Sequence, residues 1–153
     1  MKNLEISIVN EVCLKYKTKI KPSELPKING SCDCVNIFRS IEIYNNNIDI
    51  YECFYCMYLS KANKVLSVML ISEGGISGTV VDLKKILAPA ILQHASGIII
   101  SHNHPSGNLN PSQPDIDMTK KIKEAAKLID VQLFDHIILT SEEYLSFSDE
   151  GLI

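Results

Sequence analysis

Apolar residues along this chain recur in two rhythms, every second position in some stretches and every third or fourth in others. These predict strands and helices respectively. Residues 5–20 (EISIVNEVCLKYKTKI) show mixed alternation and predict a strand, followed by a proline-containing connection over 21–26. From Ser31, SCDCVNIFRSIEIYN places Val35, Ile37, Phe38, Ile41 and, less regularly, Ile43 at helical spacing, which predicts a short helix capped by Ser31 or Asp33. Asn45-Asn46-Asn47 reads as a turn. Residues 52–59 and 64–71 are β-rich runs separated by Ser60-Lys61-Ala62-Asn63, the pattern of a hairpin. Residues 73–78 (EGGISG) read as a loop; a phosphate cradle is one reading, but the lysine and spacing of a P-loop are absent, and a tight turn is preferred. Asp82 can cap a helix reaching about His94, with Leu83, Ile86, Leu87, Ala90 and Ile91 on one face and Pro89 as a kink. Residues 97–101 form an apolar run of the kind found at the centre of a sheet. A second helix is predicted over 113–129, with Ile116, Thr119, Ile122, Ala126 and Ile129 inward, and a strand over 131–139. With no repeat, linker or low-complexity tract, the expectation is one α/β domain.

Composition changes that picture little. The 153 residues are 46% apolar and 22% charged, enough for a core without disulfides or a structural metal. A net charge of −3 exerts no global pull on nucleic acid or anionic membrane, although a local basic patch stays open. No apolar run approaches the roughly 18–20 residues of a membrane span. The first residues are too charged for a secretion signal, so a cytoplasmic location is expected. Cys13, Cys32, Cys34, Cys53 and Cys56 are an odd set, which argues for reduced thiols. A zinc ribbon from Cys32-x-Cys34 and Cys53-x-x-Cys56 is the alternative. Cys53 and Cys56, three apart on a predicted strand, face opposite sides and are poorly placed to share a metal.

The chemistry concentrates in residues 101–115, SHNHPSGNLNPSQPD. If the strand continues past Ser101, His102 and His104 lie on one side of it, and the loop can fold Asp115 back over them. Two imidazoles and a carboxylate leave zinc a fourth position for water, as in a catalytic site, where that water ionises near neutral pH. The competing reading is a helix start, with Ser112 as N-cap, Pro114 in the first turn and Asp115 at the positive end of the dipole. It leaves both histidines idle, and the two readings are compatible.

His102-x-His104-Pro105 followed by Ser112-x-x-Asp115 resembles the JAMM signature of the JAB/MPN metalloprotease fold. The chain is most similar to its RadC-like branch, through ECFYCMYLSKANKVL, EGGISGTVVD, SHNHPSGNLNPSQPD, FDHIIL and YLSFSDEGLI. The resemblance covers roughly Glu52 to the C-terminus. It implies a single JAB/MPN, cytidine-deaminase-like domain with a mixed sheet flanked by helices, its core in residues 51–153 and residues 1–50 a strand and helix extension. It also implies that His102, His104 and Asp115 bind Zn2+, that Ser112 supports an oxyanion, and that Glu52 is the general acid/base. Glu73 competes for that last role, but a Gly-rich loop holds geometry less well than a strand. Asp135 and His136 are left outside the site, as is His94.

Two departures from the wider pattern stand out. Deubiquitinating JAMM enzymes usually carry Ser or Thr between the histidines and a glycine shortly after the glutamate; here Asn103 and Cys53-Phe54-Tyr55 occupy those places. The helix-hairpin-helix segment of longer RadC proteins is not evident in residues 1–50. The expected function is a zinc-dependent hydrolase acting on a peptide or isopeptide bond in a peptide or protein substrate. The alternative is a DNA-repair-associated or mobile-element accessory protein with a non-catalytic metal, an association the charge does not favour. A nuclease using the same metal is disfavoured by its imidazole ligands. No membrane partner is expected, and oligomeric state is left open.

Overall fold

A computed structural model describes residue 13, residues 15–74 and residues 81–153. Two short helices, α1 (Ser31–Arg39) and α2 (Glu42–Asn47), precede a hairpin of β1 (Cys53–Leu59) and β2 (Val65–Glu73). Then come α3 (Leu83–Leu92), β3 (Gly97–Asn103), α4 (Gln113–Lys127), β4 (Gln132–Leu139) and β5 (Tyr144–Ser146). The strands form one mixed sheet in the order β2-β1-β3-β4-β5, in which β3 and β4 run parallel and the other pairs antiparallel. The α/β reading with helices on both faces holds. Among the described residues, no helix is long and apolar enough to cross a membrane.

β3 is buried along its whole length because both faces of the sheet are covered. On one face Tyr55, Met57, Ile99 and Ile137 pack with Val35, Phe38 and Tyr44 of α1 and α2. On the other, Phe54, Tyr58, Ile98 and Ile100 pack with Ile86 and Ala90 of α3 and Ile122 and Ala126 of α4. Alternation along β3 carries this division past the apolar run. Ser101 meets Tyr44 (hydroxyls 3.0 Å apart), whereas His102 turns toward the α3–α4 layer.

β3 starts at a glycine for a steric reason. A Cβ at Gly97 would lie 2.0 Å from the Phe134 ring, beside the irregularity that offsets β4 against β3 between Ile98 and Ile99. Gly97→Ala is therefore expected to destabilise the fold by about 1–3 kcal/mol through overpacking, read as a lower urea midpoint with an unchanged slope.

Several predicted elements moved. The helix expected from Ser31 is broken at Ser40–Ile41, and its N-cap is Gly30, not Ser31 or Asp33. Ser31 gives its hydroxyl proton to Asp149 (2.6 Å), and Asp33 reaches back to the backbone N–H of Asn29 (2.8 Å). Asn45-Asn46-Asn47 lies in α2, and the turn follows it, where the Asn47 carbonyl accepts from Ile50. Of the strand expected over 5–20, residues 5–12 and 14 lie outside the described residues. Residues 15–19 form no strand and lie near the hairpin, where Tyr16 donates to the Leu66 carbonyl (3.3 Å). The 73–78 loop is described only to Gly74, and Glu73 itself ends β2. Ile91, expected inward, is 53% exposed. β5 was not anticipated; Arg39 supports the turn before it, its guanidinium donating to the carbonyls of Thr140, Ser141 and Glu143.

Candidate metal centre

Parallel β3 and β4 end side by side, and the crevice beyond the carboxyl ends of such strands is where α/β folds place ligands. His102 is the last inward-facing residue of β3 on the α3–α4 side. His104 follows just outside the strand, its backbone N–H donating to the Leu139 carbonyl at 2.9 Å and continuing the ladder. Because β1 is antiparallel to β3 with Phe54 opposite His102, continuing that register sets Glu52 opposite His104. Strand pairing between residues 48 positions apart thus brings the start of one strand to the end of its neighbour.

Asp115 arrives from the loop. Ser112 caps α4 in a capping box: its Oγ accepts from the Asp115 N–H (3.3 Å), while Asp115 Oδ2 accepts from the Ser112 N–H (2.7 Å) and hydroxyl (2.6 Å). The helix-start reading is realised, and the same cap aims the carboxylate at the histidines, as the ligand reading requires. Nε2 of His102 and Nε2 of His104 are 2.9 Å apart; Asp115 Oδ1 is 3.3 Å from the former and Oδ2 3.6 Å from the latter. Ser112→Ala is expected to cost about 0.5–2 kcal/mol as a lost N-cap, read as a lower melting temperature.

The electrostatics keep Asp115 ionised. Burial alone would favour its neutral form, but its contacts with His102, His104 and Ser112 outweigh it and hold the carboxyl well below the usual range. The same contact with Asp115 raises His104. His104 Nδ1 is bonded to the Asn108 carbonyl, which leaves Nε2 facing the cluster.

Glu52, Phe54, His102, His104, Ser112, Asp115 and His136 line one cavity of about 510 Å³. The predicted residues Glu52, Ser112, His102, His104 and Asp115 are thus brought together. Glu73 is not among its lining residues; it sits at the end of β2, paired with Cys53, where its charge adds to the burial that raises Tyr51 and Tyr55. The loop argument against Glu73 does not apply, since it lies in a strand; its position is what separates it from the cluster.

Sequence reasoning left two residues that matter here, His136 and Asn103, outside the site. His136 is fully buried, its Nε2 2.7 Å from His102 Nδ1 and its Nδ1 2.7 Å from Thr119 Oγ1. Burial holds it well below the ordinary histidine range. A histidine in the apolar strand FDHIIL was the available signal, but nothing local says what it faces. Asp135 does point to the opposite side, accepting from Ser146 (2.6 Å) and the Ser148 N–H (2.9 Å). Asn103, where related signatures carry Ser or Thr, accepts from the Cys53 N–H (2.7 Å) and donates to the carbonyls of Ile48 (2.7 Å) and Tyr51 (2.8 Å). It ties the end of β3 to the chain entering β1. Cys34, Cys53 and Cys56 are buried free thiols, raised by burial to about 12, 11 and 12. Cys53 and Cys56 belong to opposite cores, so no thiolate cluster forms among the described residues.

A model of the RadC-like JAB domain matches residues 29–152. The chain belongs to the RadC-like JAB domain family. Among its relatives, a UPF0758 protein of Flavobacterium johnsoniae is 43% identical over 131 residues, covering 84% of this chain and 55% of that protein. A UPF0758 protein of Porphyromonas gingivalis is 33% identical over 141 residues (92% and 62%), and one of Clostridium acetobutylicum 31% identical over 153 (99% and 64%). The RadC-like chain thus spans 55–64% of the length of these three.

The donor set of this RadC-like domain fits a small divalent cation. Its three candidate ligand atoms all lie within 4.8 Å of one another. Tetrahedral zinc, with bonds of about 2.0–2.1 Å, requires ligands about 3.3 Å apart. The two Nε2 atoms are 2.9 Å apart and Asp115 Oδ1 is 3.3 Å from that of His102, both near that spacing. Two imidazoles with one carboxylate suit zinc better than the oxygen-rich preference of magnesium or calcium.

Proposed function

We propose that this RadC-like domain is a zinc-dependent hydrolase that cleaves a peptide or isopeptide bond in a protein or peptide substrate. The observation that carries the reading is the convergence of His102, His104 and Asp115 on one point, with Glu52 lining the same cavity. His102, His104 and Asp115 would hold the zinc ion, which would supply Lewis acidity to water and to a carbonyl. Glu52 takes a proton from the attacking water on its carboxylate and delivers it to the departing amine. Ser112 lines the cavity too, and its hydroxyl, which here donates to Asp115, is the group that would support the oxyanion of the substrate by turning toward it.

The lining favours an amide over a phosphodiester. Among the described residues it contains Glu52 and Asp115 but no lysine or arginine, so no protein cation there adds to the metal in neutralising a phosphate backbone. The buried free thiols fit a reducing, cytoplasmic setting.

The test is zinc content and hydrolysis together, with peptide, isopeptide and DNA substrates. Wild type is expected to hold one zinc per chain. His104→Ala is expected to weaken zinc binding by more than about 100-fold, beyond the loss seen when only a ligand's supporting partner is removed. A wild-type protein that takes up no zinc on titration sinks the reading; zinc-dependent cleavage of DNA alone replaces it with a nuclease.

A further inference from the structure

Resting on the zinc reading proposed above, we infer that His136 is a positioning residue: with Thr119 it sets which nitrogen of the His102 ring carries the proton, leaving Nε2 bare for the metal. The direction of every link follows from one group that can only accept. Thr119 Oγ1 donates its single proton to the Asp115 backbone carbonyl at 2.6 Å. Its contact with His136 Nδ1 at 2.7 Å is then made by accepting, so the proton of that bond sits on Nδ1. A neutral imidazole has one N–H, so His136 Nε2 is an acceptor. It faces His102 Nδ1 at 2.7 Å, which must therefore donate. His102 Nε2, the atom within reach of His104 and Asp115, is left with its lone pair free.

His104 reaches the same tautomer by a different route, through the Asn108 carbonyl. Ligand histidines commonly donate to a carboxylate, a backbone carbonyl or water. Here a second imidazole does this for His102, and because it is uncharged it adds no negative charge beside the cation. The His136 ring is held rigidly for the task. It is fully buried, stacked on Phe147 (centroids 4.5 Å, planes 29° apart) and flanked by Phe54 (6.0 Å). The relay begins on the carbonyl of Asp115, whose side chain is the third candidate ligand. The β3 ligand and the α4 ligand are therefore coupled through β4, without contact between Thr119 and the ligand atoms themselves.

The experiment compares wild type with His136→Leu, Thr119→Val and Thr119→Ser. It reads zinc affinity by competition with a chromophoric chelator, and the His102 tautomer by long-range proton–nitrogen NMR of the metal-free protein. Wild type is expected to show His102 protonated on Nδ1. His136→Leu should weaken zinc by about 10–100-fold, the usual cost of removing a ligand's supporting partner, and should mix the His102 tautomers. Thr119→Val, nearly isosteric, should shift both readouts the same way, and Thr119→Ser should restore both; this pair keeps the test if His136→Leu does not fold. Failure of wild type to bind zinc defeats the hydrolase reading and this inference with it. Wild-type binding matched by folded His136→Leu and Thr119→Val, or a His102 protonated on Nε2 in wild type, overturns the role of His136 alone.

Discussion

Glu52→Gln is expected to lower turnover by about 10²–10⁴-fold, the range for loss of a general acid/base, with zinc content unchanged. Glutamine keeps the shape and polarity of the side chain but cannot take a proton from water at neutral pH. Glu52 lies outside the three-ligand group and lines the same cavity, so the chemistry should suffer while the metal stays. Its placement comes from strand pairing: Phe54 is opposite His102, which sets Glu52 across from His104. Glu73→Gln is the matched control and should leave turnover near wild type, because Glu73 belongs with Tyr51, Cys53 and Tyr55. Steady-state kinetics beside elemental analysis checks both. Loss of activity in Glu73→Gln with retention in Glu52→Gln would move the role to the other carboxylate.

Asn103→Leu is expected to destabilise the protein by about 3–5 kcal/mol, because the substitution strands several backbone groups at once. The Cys53 N–H and the Ile48 carbonyl are buried at this contact and lose their partner, as does the Tyr51 carbonyl. Leucine fills similar space, so the cost arises from unsatisfied polar groups and not from a cavity. For a domain of this size the corresponding fall in melting temperature is roughly 6–20 °C. Differential scanning calorimetry measures it directly. A melting temperature within error of wild type would mean that water or relaxation satisfies those groups. The residue between the two histidines is thus the one that registers β3 against the segment entering β1. Its difference from the Ser or Thr of related signatures is a difference in scaffold before it is one in chemistry.

Elements specified by short-range pattern were legible in the sequence. The β1–β2 hairpin, the apolar β3 and the Ser112–Asp115 capping box each depend on residues a few positions apart. The cluster of His102, His104 and Asp115, a group able to hold a metal ion, was legible for the same reason: alternation sets the two histidines on one side, and the cap aims Asp115. The break at Ser40–Ile41 was not legible, because apolar spacing continues through it. Arg39, at the end of α1, instead bonds carbonyls about a hundred residues away. β5 is three residues long and too short to carry a period.

By itself, then, the sequence determined an α/β chain, the residues able to ligate a metal and the helix cap that directs one of them, since all of these are set within a turn or a strand. The tertiary structure decided which glutamate joins them, what Asn103 secures and what His136 faces. Cys53 meets Asn103 across 50 residues, His102 meets His136 across 34 and His136 meets Thr119 across 17. One-dimensional periodicity reports which side of an element a residue occupies. It does not report which element lies on that side, and strand order, register and helix layer supply that information only once the chain has closed on itself.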